Sequence, residues 1–141
     1  MILEKAGLEL AKKLCEDDPV RKNIPYEWRV ADCHREIFHL EEKAVICIAH
    51  LNEIPTTEEE LMSFGWGTNS IFYTVWSKEK GLGRKIIVDT WNLLKMQHTG
   101  NRYVTMSPKT EMAMKFHLSN GAILLQENPE TNNFEYKWTF G

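Results

Sequence analysis

Ser70-Ile-Phe-Tyr-Thr-Val-Trp76, followed by Lys78-Glu-Lys-Gly-Leu-Gly-Arg84, is the stretch on which the fold turns. The first half is rich in β-branched and aromatic residues and predicts a strand. The second half sets two glycines and three cationic side chains in seven residues, which is the composition of a turn. Beyond it Ile87, Trp91 and Leu94 recur at helical spacing, so a helix with one apolar face is expected from Arg84 to Gln97, ended by Gly100. Arg102 to Met106 alternates again as a short strand. Ser107-Pro108 then opens a second helix, with a cap residue followed by proline at the first helical position. The strands Ile71 to Trp76 and Tyr103 to Met106 are expected to lie parallel, because a helix between them makes a right-handed crossover.

A loop of this kind suits an anion. Glycines let the backbone turn sharply, and free N–H groups at the head of a helix then face a negative charge that the helix dipole also favours. The spacing Gly81-x-Gly83 alone fits an ordinary strand-to-helix turn equally well. The clustering of Lys78, Lys80, Arg84 and Lys85 in a chain of net charge -3 favours a polyanionic ligand.

The wider sequence resembles the GNAT superfamily of acyl-CoA-handling proteins, and within it most closely the catalytic domain of malonyl-CoA decarboxylase. Lys78-x-x-Gly81-x-Gly83 is similar to the GNAT pyrophosphate loop, with Lys where that family prefers Gln or Arg. The decarboxylase likeness rests on Ile71-Phe-Tyr-Thr-Val75 before Gly81-Leu82, on Thr105-Met-Ser-Pro108, on Phe116-His-Leu-Ser-Asn-Gly-Ala122 and on Asn133-Phe-Glu-Tyr136. Phe38-His39 and Ala49 to Pro55 are also similar, so the resemblance covers residues 33 to 138. It implies an α+β fold with a mixed central sheet flanked by helices, and a coenzyme A thioester, acetyl-CoA or malonyl-CoA, as substrate without a metal. It also places the phosphates on Lys78, Lys80, Gly81, Leu82, Gly83 and Arg84, with the strand edge at Thr74, Val75 and Trp76 gripping the pantetheine. Two departures stand out. The family carries a large helical domain ahead of its catalytic domain, for which at most thirty or so residues are available here. It also has a long insertion between its Ser-Pro and Phe-His blocks, whereas nine residues separate Ser107 from His117.

At 141 residues and 43% hydrophobic composition, a single domain is expected: an N-terminal helical arm and connector over 1–28 and an acyl-CoA-binding core over 29–141. The net charge and the lack of long basic runs argue against DNA or RNA as partner. No run approaches the ~20 apolar residues that span a bilayer, and Met1-Ile-Leu-Glu-Lys lacks the layout of a signal peptide, so a cytoplasmic protein without a membrane partner is expected. Cys15, Cys33 and Cys47 are odd in number without CxxC spacing, which argues against a disulfide framework and a structural zinc site.

Leu3, Ala6, Leu10 and Leu14 fall on one face, predicting an amphipathic helix from Ile2 to Glu16, stopped by Asp17-Asp-Pro19. That face needs a surface to cover, either its own sheet or a partner such as the second copy in a homodimer. Val20 to Glu27 reads as a connector. Cys33 to Leu40 and Lys43 to Asn52 read as an antiparallel hairpin around Glu41-Glu42. The unbroken apolar run Ala44 to Ala49 marks a strand covered on both faces, at the sheet centre. Thr56-Thr57-Glu-Glu-Glu60 caps a short helix, broken at Gly65-Trp-Gly67. Ala122 to Glu127 and Phe134 to Phe140 are strands around the turn Asn128 to Asn133.

Two residues are candidates for chemistry. In the GNAT pattern a tyrosine four residues before the glycine that closes this helix protonates the departing thiolate, and here that position is His117. The resemblance further implies that His117 works with Ser107. The residues themselves leave Ser107 equally explained as an N-cap. An unbroken helix from Ser107 would put the two about 15 Å apart along its axis, too far to share a hydrogen bond. His34, His39 and His50 lack Hx3H or HExxH spacing and do not make a metal site. Trp66, Trp76 and Trp91 read as core or sheet-face aromatics rather than a stacking platform for bases. Three functions remain open: decarboxylation of a malonyl thioester, acetyl transfer to an amine, and binding of CoA or a partner without catalysis.

Overall fold

The computed structural model describes residues 1–97 and 100–137. Its centre is an eight-stranded mixed sheet. Strand β1 (Leu3–Lys5) leads to helix α1 (Leu8–Cys15) and to a single turn, α2 (Tyr26–Arg29). Strands β2 (Arg35–Leu40) and β3 (Ala44–Leu51) follow, then helix α3 (Glu58–Ser63) and strand β4 (Asn69–Ser77). Helix α4 (Leu82–Met96) crosses to β5 (Arg102–Thr105) and the two-residue β6 (Ser107–Pro108). Helix α5 (Glu111–Ser119), β7 (Ile123–Glu127) and β8 (Thr131–Glu135) complete the described chain. The spatial order is β1-β2-β3-β4-β5-β8-β6, with β7 on the outer side of β8.

The apolar run in β3 sits where its composition demands. All eight residues are buried, with Val45, Cys47, Ala49 and Leu51 in one core and Ala44, Ile46 and Ile48 in the other. Helices α1 and α2 cover the first core, so the apolar face of the first helix is used by its own sheet. Helix α4 covers the second with Ile86, Ile87, Trp91 and Leu94. The β2–β3 hairpin turns through Glu41 and Glu42, both with positive φ (47° and 60°), the hand that matches strand twist. Lys43 N–H closes that turn on Leu40 O at 2.8 Å. As expected, β4 and β5 pair in parallel, from Asn69↔Arg102 to Phe72↔Thr105.

Four expectations need correction. The helix expected over Ile2–Glu16 is a strand and then a helix: Leu3–Lys5 pairs with Phe38–Leu40, and α1 starts only at Leu8. The edge of β2 offers unpaired backbone groups, and three residues of the chain satisfy them before Gly7 starts the helix. The connector Val20–Glu27 contains the start of α2. Ser107 is not a helix cap. It lies in β6 opposite Asn132, and the cap of α5 is Thr110, whose Oγ1 accepts from Ala113 N–H at 3.1 Å. The last strand starts at Thr131 rather than Phe134, leaving a tighter turn, and its expected end at Phe140 lies outside the described residues.

Candidate functional site

The sheet splits where β4 and β5 part. Four parallel pairs join them, and Phe72↔Thr105 is the last. Beside that point Tyr73 is an extra residue in β4, because Cys47 faces Thr74 while Ile48 faces Phe72. A bulge of this kind bends a strand and re-aims its side chains. From there β4 continues with β3 alone, and the other branch turns through Met106 into β6 and pairs with β8.

The fork holds a cavity of about 400 Å³. Val75 and Trp76 line it from β4, Ser107 from β6, and Phe116 and His117 from α5. Gly83 borders it from α4, and Pro19 and Val20 from the α1–α2 connection. It therefore passes through the plane of the sheet, from the α4 side to the α1 side. Among the described residues no charged side chain lines it. Thr74 does not line it either: its hydroxyl donates to buried Asp18 at 3.2 Å.

The glycine loop stands at the head of α4. Gly81 is its N-cap residue with φ +87°, a conformation that L side chains rarely adopt. Gly83 is tightly packed for a different reason: a Cβ there would lie 3.1 Å from the Phe116 ring, which would have to give by a few tenths of an ångström, and in ordinary contact with Ser77 Oγ at 3.6 Å. The expected cations are mostly paired. Lys78 reaches Asp17 at 3.0 Å, Lys85 reaches Asp89 at 2.8 Å, and Arg84 donates to Asn120 Oδ1 at 3.3 Å. These contacts are exposed or half-exposed and therefore weak. Lys80 has no partner among the described residues.

His117 is 7% exposed and stacks on Phe134, with ring centroids 5.3 Å apart and planes 29° apart. Its Nδ1 lies 2.6 Å from the Tyr136 hydroxyl. Burial pushes the imidazole down to about 4, so the ring is neutral at pH 7. Burial also pushes the Tyr136 phenol well above its usual range, and the Asn120 amide and the Arg84 charge oppose that rise. Ser107 Oγ donates to Thr105 Oγ1 at 2.7 Å. Because α5 begins at Glu111, the unbroken helix that would have kept Ser107 and His117 apart does not exist, and both face one cavity.

Tyr136, Asn120, Asp18, Arg21 and Arg29 are features that residue types alone did not reveal. Tyr136 closes a block that carries the family resemblance, which was its available signal. Asp18 and Arg29 form a buried ion pair at 2.6 Å across the ends of Val20–Glu27, the stretch that reads as a connector.

Other groups invite a functional reading and do not carry one. His50 stands 2.8 Å from Ser70 Oγ and 2.9 Å from Glu36 Oε2, the distances of a catalytic triad. Ser70 is wholly buried, and Gly100 packs so closely that a Cβ on it would lie 2.3 Å from Ser70 Oγ, so no substrate reaches the hydroxyl. His39 Nδ1 accepts from Glu42 N–H at 3.1 Å, and His34 faces Asp32 at 3.9 Å. A larger hollow of about 530 Å³ lies beside Arg102 and Glu135, which satisfy each other at 2.8 and 2.9 Å; neither the glycine loop nor His117 borders it.

The architecture has close structural counterparts. The malonyl-CoA decarboxylase of Agrobacterium vitis superposes with a TM-score of 0.76 at 14% identity, over 97% of this chain and 60% of that one. A GNAT-family acetyltransferase from Listeria monocytogenes gives 0.65 at 8% identity, over 96% and 93% of the two chains. The PaiA N-acetyltransferase of Thermoplasma acidophilum, solved in complex with coenzyme A, gives 0.60 at 10% identity, over 98% and 100%. The fold is the GNAT fold. No family sequence model matches the chain, and no curated protein sequence is significantly similar to it. The GNAT fold accounts for the parallel β4–β5 pair, the glycine loop between them and the fork beyond. No helix among the described residues is long and apolar enough to cross a membrane.

Proposed function

We propose that the chain binds an acyl-CoA thioester in the β4–β5 fork and removes the free carboxylate of a malonyl group. The observation that carries this reading is a slot without a charged side chain, into which one buried, neutral histidine is set. In this reading the phosphates meet the head of α4. There the N–H groups of Gly83 and Arg84 have no acceptor among the described residues, and the half-free cations lie near. The pantetheine follows Val75 and Trp76 through the fork.

Decarboxylation breaks the bond between the carboxylate and the α-carbon. CO2 leaves, and the electron pair remains as an enolate with its charge on the thioester oxygen. An apolar slot favours this, because the compact carboxylate is disfavoured there relative to the spread charge that replaces it. A neutral imidazole with its N–H on Nε2 is a donor for the enolate oxygen, and the Ser107 hydroxyl becomes a second when its proton turns from Thr105 Oγ1 to the substrate. Tyr136 donating to Nδ1 fixes that tautomer. Protonation of the carbon is then balanced by a relay: Nε2 gives up its proton while Nδ1 receives the phenolic one. The ring stays neutral and the charge rests on Tyr136 until solvent in the hollow beside Arg102, which Tyr136 also lines, returns a proton; burial disfavours that phenolate, and Asn120 and Arg84 offset part of the cost. No imidazolium is required.

Acetyl transfer asks for something the slot lacks. An amine acceptor arrives protonated and needs a base, and an imidazole held near 4 is a poor one with no carboxylate in the slot to replace it. The deciding experiment is mass spectrometry of malonyl-CoA incubated with the protein, beside acetyl-CoA with a panel of amines. Conversion of malonyl-CoA to acetyl-CoA is expected. Acylated amine without decarboxylation would overturn the reading, and tight CoA binding without turnover would leave a binding protein.

A further inference from the structure

Where the β4–β5 ladder stops, the carbonyls of Tyr73 and Met106 lose the strand amides that would have bonded them. A single side chain serves both. Arg21, from the α1–α2 connection and only 6% exposed, donates from Nε to Tyr73 O at 3.2 Å and from Nη2 to Met106 O. Its Nη1 donates to Glu58 at 3.3 Å. The backbone of Arg21 is itself anchored: its N–H donates to Asp18 Oδ1 at 3.0 Å, and its carbonyl accepts from Arg29 Nη2 at 2.6 Å. Asp18 also takes Arg29 Nη1 and the Thr74 hydroxyl, which ties the connection to β4. Burying a guanidinium is costly unless it is hydrogen-bonded, and here each of its three nitrogens donates once, while only its planar fork spans two carbonyls on different strands. Pro19 and Val20, which immediately precede Arg21, form the far wall of the slot.

We propose that Arg21 is a positioning residue: its guanidinium replaces the missing β4–β5 ladder, holds the two branches at a fixed separation, and seats the Pro19–Val20 wall, so that the slot exists before ligand arrives. The inference rests on the proposed function only for the identity of the ligand.

The test compares Arg21→Met with Ile37→Ala, a core truncation two strands away that also lowers stability. In ligand-free protein, hydrogen exchange over residues 73–77 and 106–108 is expected to accelerate about tenfold relative to β2 and β3 in Arg21→Met, as befits loss of charge-assisted hydrogen bonds. Ile37→Ala should not single out those segments. Acetyl-CoA affinity, measured by calorimetry where both variants are folded, should fall about tenfold in Arg21→Met and stay within about twofold in Ile37→Ala, with Arg21→Lys between. Should Arg21→Met not fold, Arg21→Lys carries the same comparison. Exchange and affinity that track Ile37→Ala would make Arg21 an ordinary core contact and overturn the proposal. If the unmodified protein binds no acyl-CoA, the functional reading falls, and the exchange pattern alone decides on Arg21.

Discussion

His117 Nδ1 and the Tyr136 hydroxyl are 2.6 Å apart at the base of an uncharged slot, with Phe134 stacked on the imidazole. A group placed so is neither a solvated helical histidine nor a strong acid. Its usefulness lies in a fixed tautomer and an N–H aimed away from Tyr136. His117→Ala should lower the rate constant for malonyl-CoA turnover by about 100-fold or more with CoA binding nearly intact, and Tyr136→Phe should lower it by a similar order. Steady-state kinetics beside calorimetry checks both. Full activity in Tyr136→Phe would remove the phenol from the mechanism.

The same burial sets a pH dependence of stability. The native imidazole titrates near 4, below its ordinary 6.5, so the unfolded chain takes up this proton first. Stability is unaffected by this group above pH 6.5, falls as the pH drops towards 4, and levels below; the full loss is about 3 kcal/mol. Urea denaturation at pH 7 and pH 4.5 should show the decline in the unmodified protein, and His117→Phe should show less of it.

Gly83→Val should abolish acyl-CoA binding. A side chain there collides with the Phe116 ring at 3.1 Å, and Phe116 is a wall of the slot. Gly81→Ala is different: nothing lies within 4 Å of its added Cβ, so its cost is backbone strain of about 1 kcal/mol at φ +87°. Calorimetry with CoA and thermal melts of the two variants separate collision from strain.

The Asp18–Arg29 pair should be intolerant of half-removal. Its side chains are 0% and 1% exposed, so Arg29→Met leaves a buried carboxylate short of its cation and should cost about 3–5 kcal/mol. Lys78→Ala, which breaks an exposed pair with Asp17, should cost less than about 1 kcal/mol. Chemical denaturation of both variants tests the contrast.

Thr110→Ala should cost about 1 kcal/mol through loss of the α5 cap. Ser107→Ala removes a hydroxyl bonded to Thr105 and, under the proposed mechanism, a donor to the enolate; it should slow turnover more than it shifts the melting temperature. Equal effects of Ser107→Ala and Thr110→Ala on melting, with turnover unchanged by either, would return Ser107 to a purely structural duty.

Strong local signals carried much of the fold. The β-branched run of β4, the glycines before α4 and the helical spacing of Ile87, Trp91 and Leu94 are short-range features, and they fixed the parallel crossover. Leu3 to Lys5 misled because their apolar spacing fits a helix while the open edge of β2 competes for the same backbone, a tertiary effect that periodicity does not contain. Ser107-Pro108 misled similarly: β8 captured it as a strand and left capping to Thr110. At the site, Gly83 and His117 announce themselves by type and spacing. Arg21 does not, because a buried arginine that bridges strands looks, in one dimension, like any solvated cation in a polar connector.

The forked sheet has a mechanical side. In effect it is two plates sharing a short seam: β1 to β5 form one, and β6 to β8 with α5 form the other. Among the described residues one register pair, Val104↔Glu135, joins β5 to β8, reinforced by the Arg102–Glu135 ion pair and by the Tyr136 N–H bond to Tyr103 O. Asn133 adds contacts across the seam to Pro55 O and Thr105 O. Arg21 holds the apex of the fork, and the two plates meet beyond it along this seam. A ligand threaded along the whole fork would act as a strut, stiffening the joint and damping the relative motion of His117 and β4.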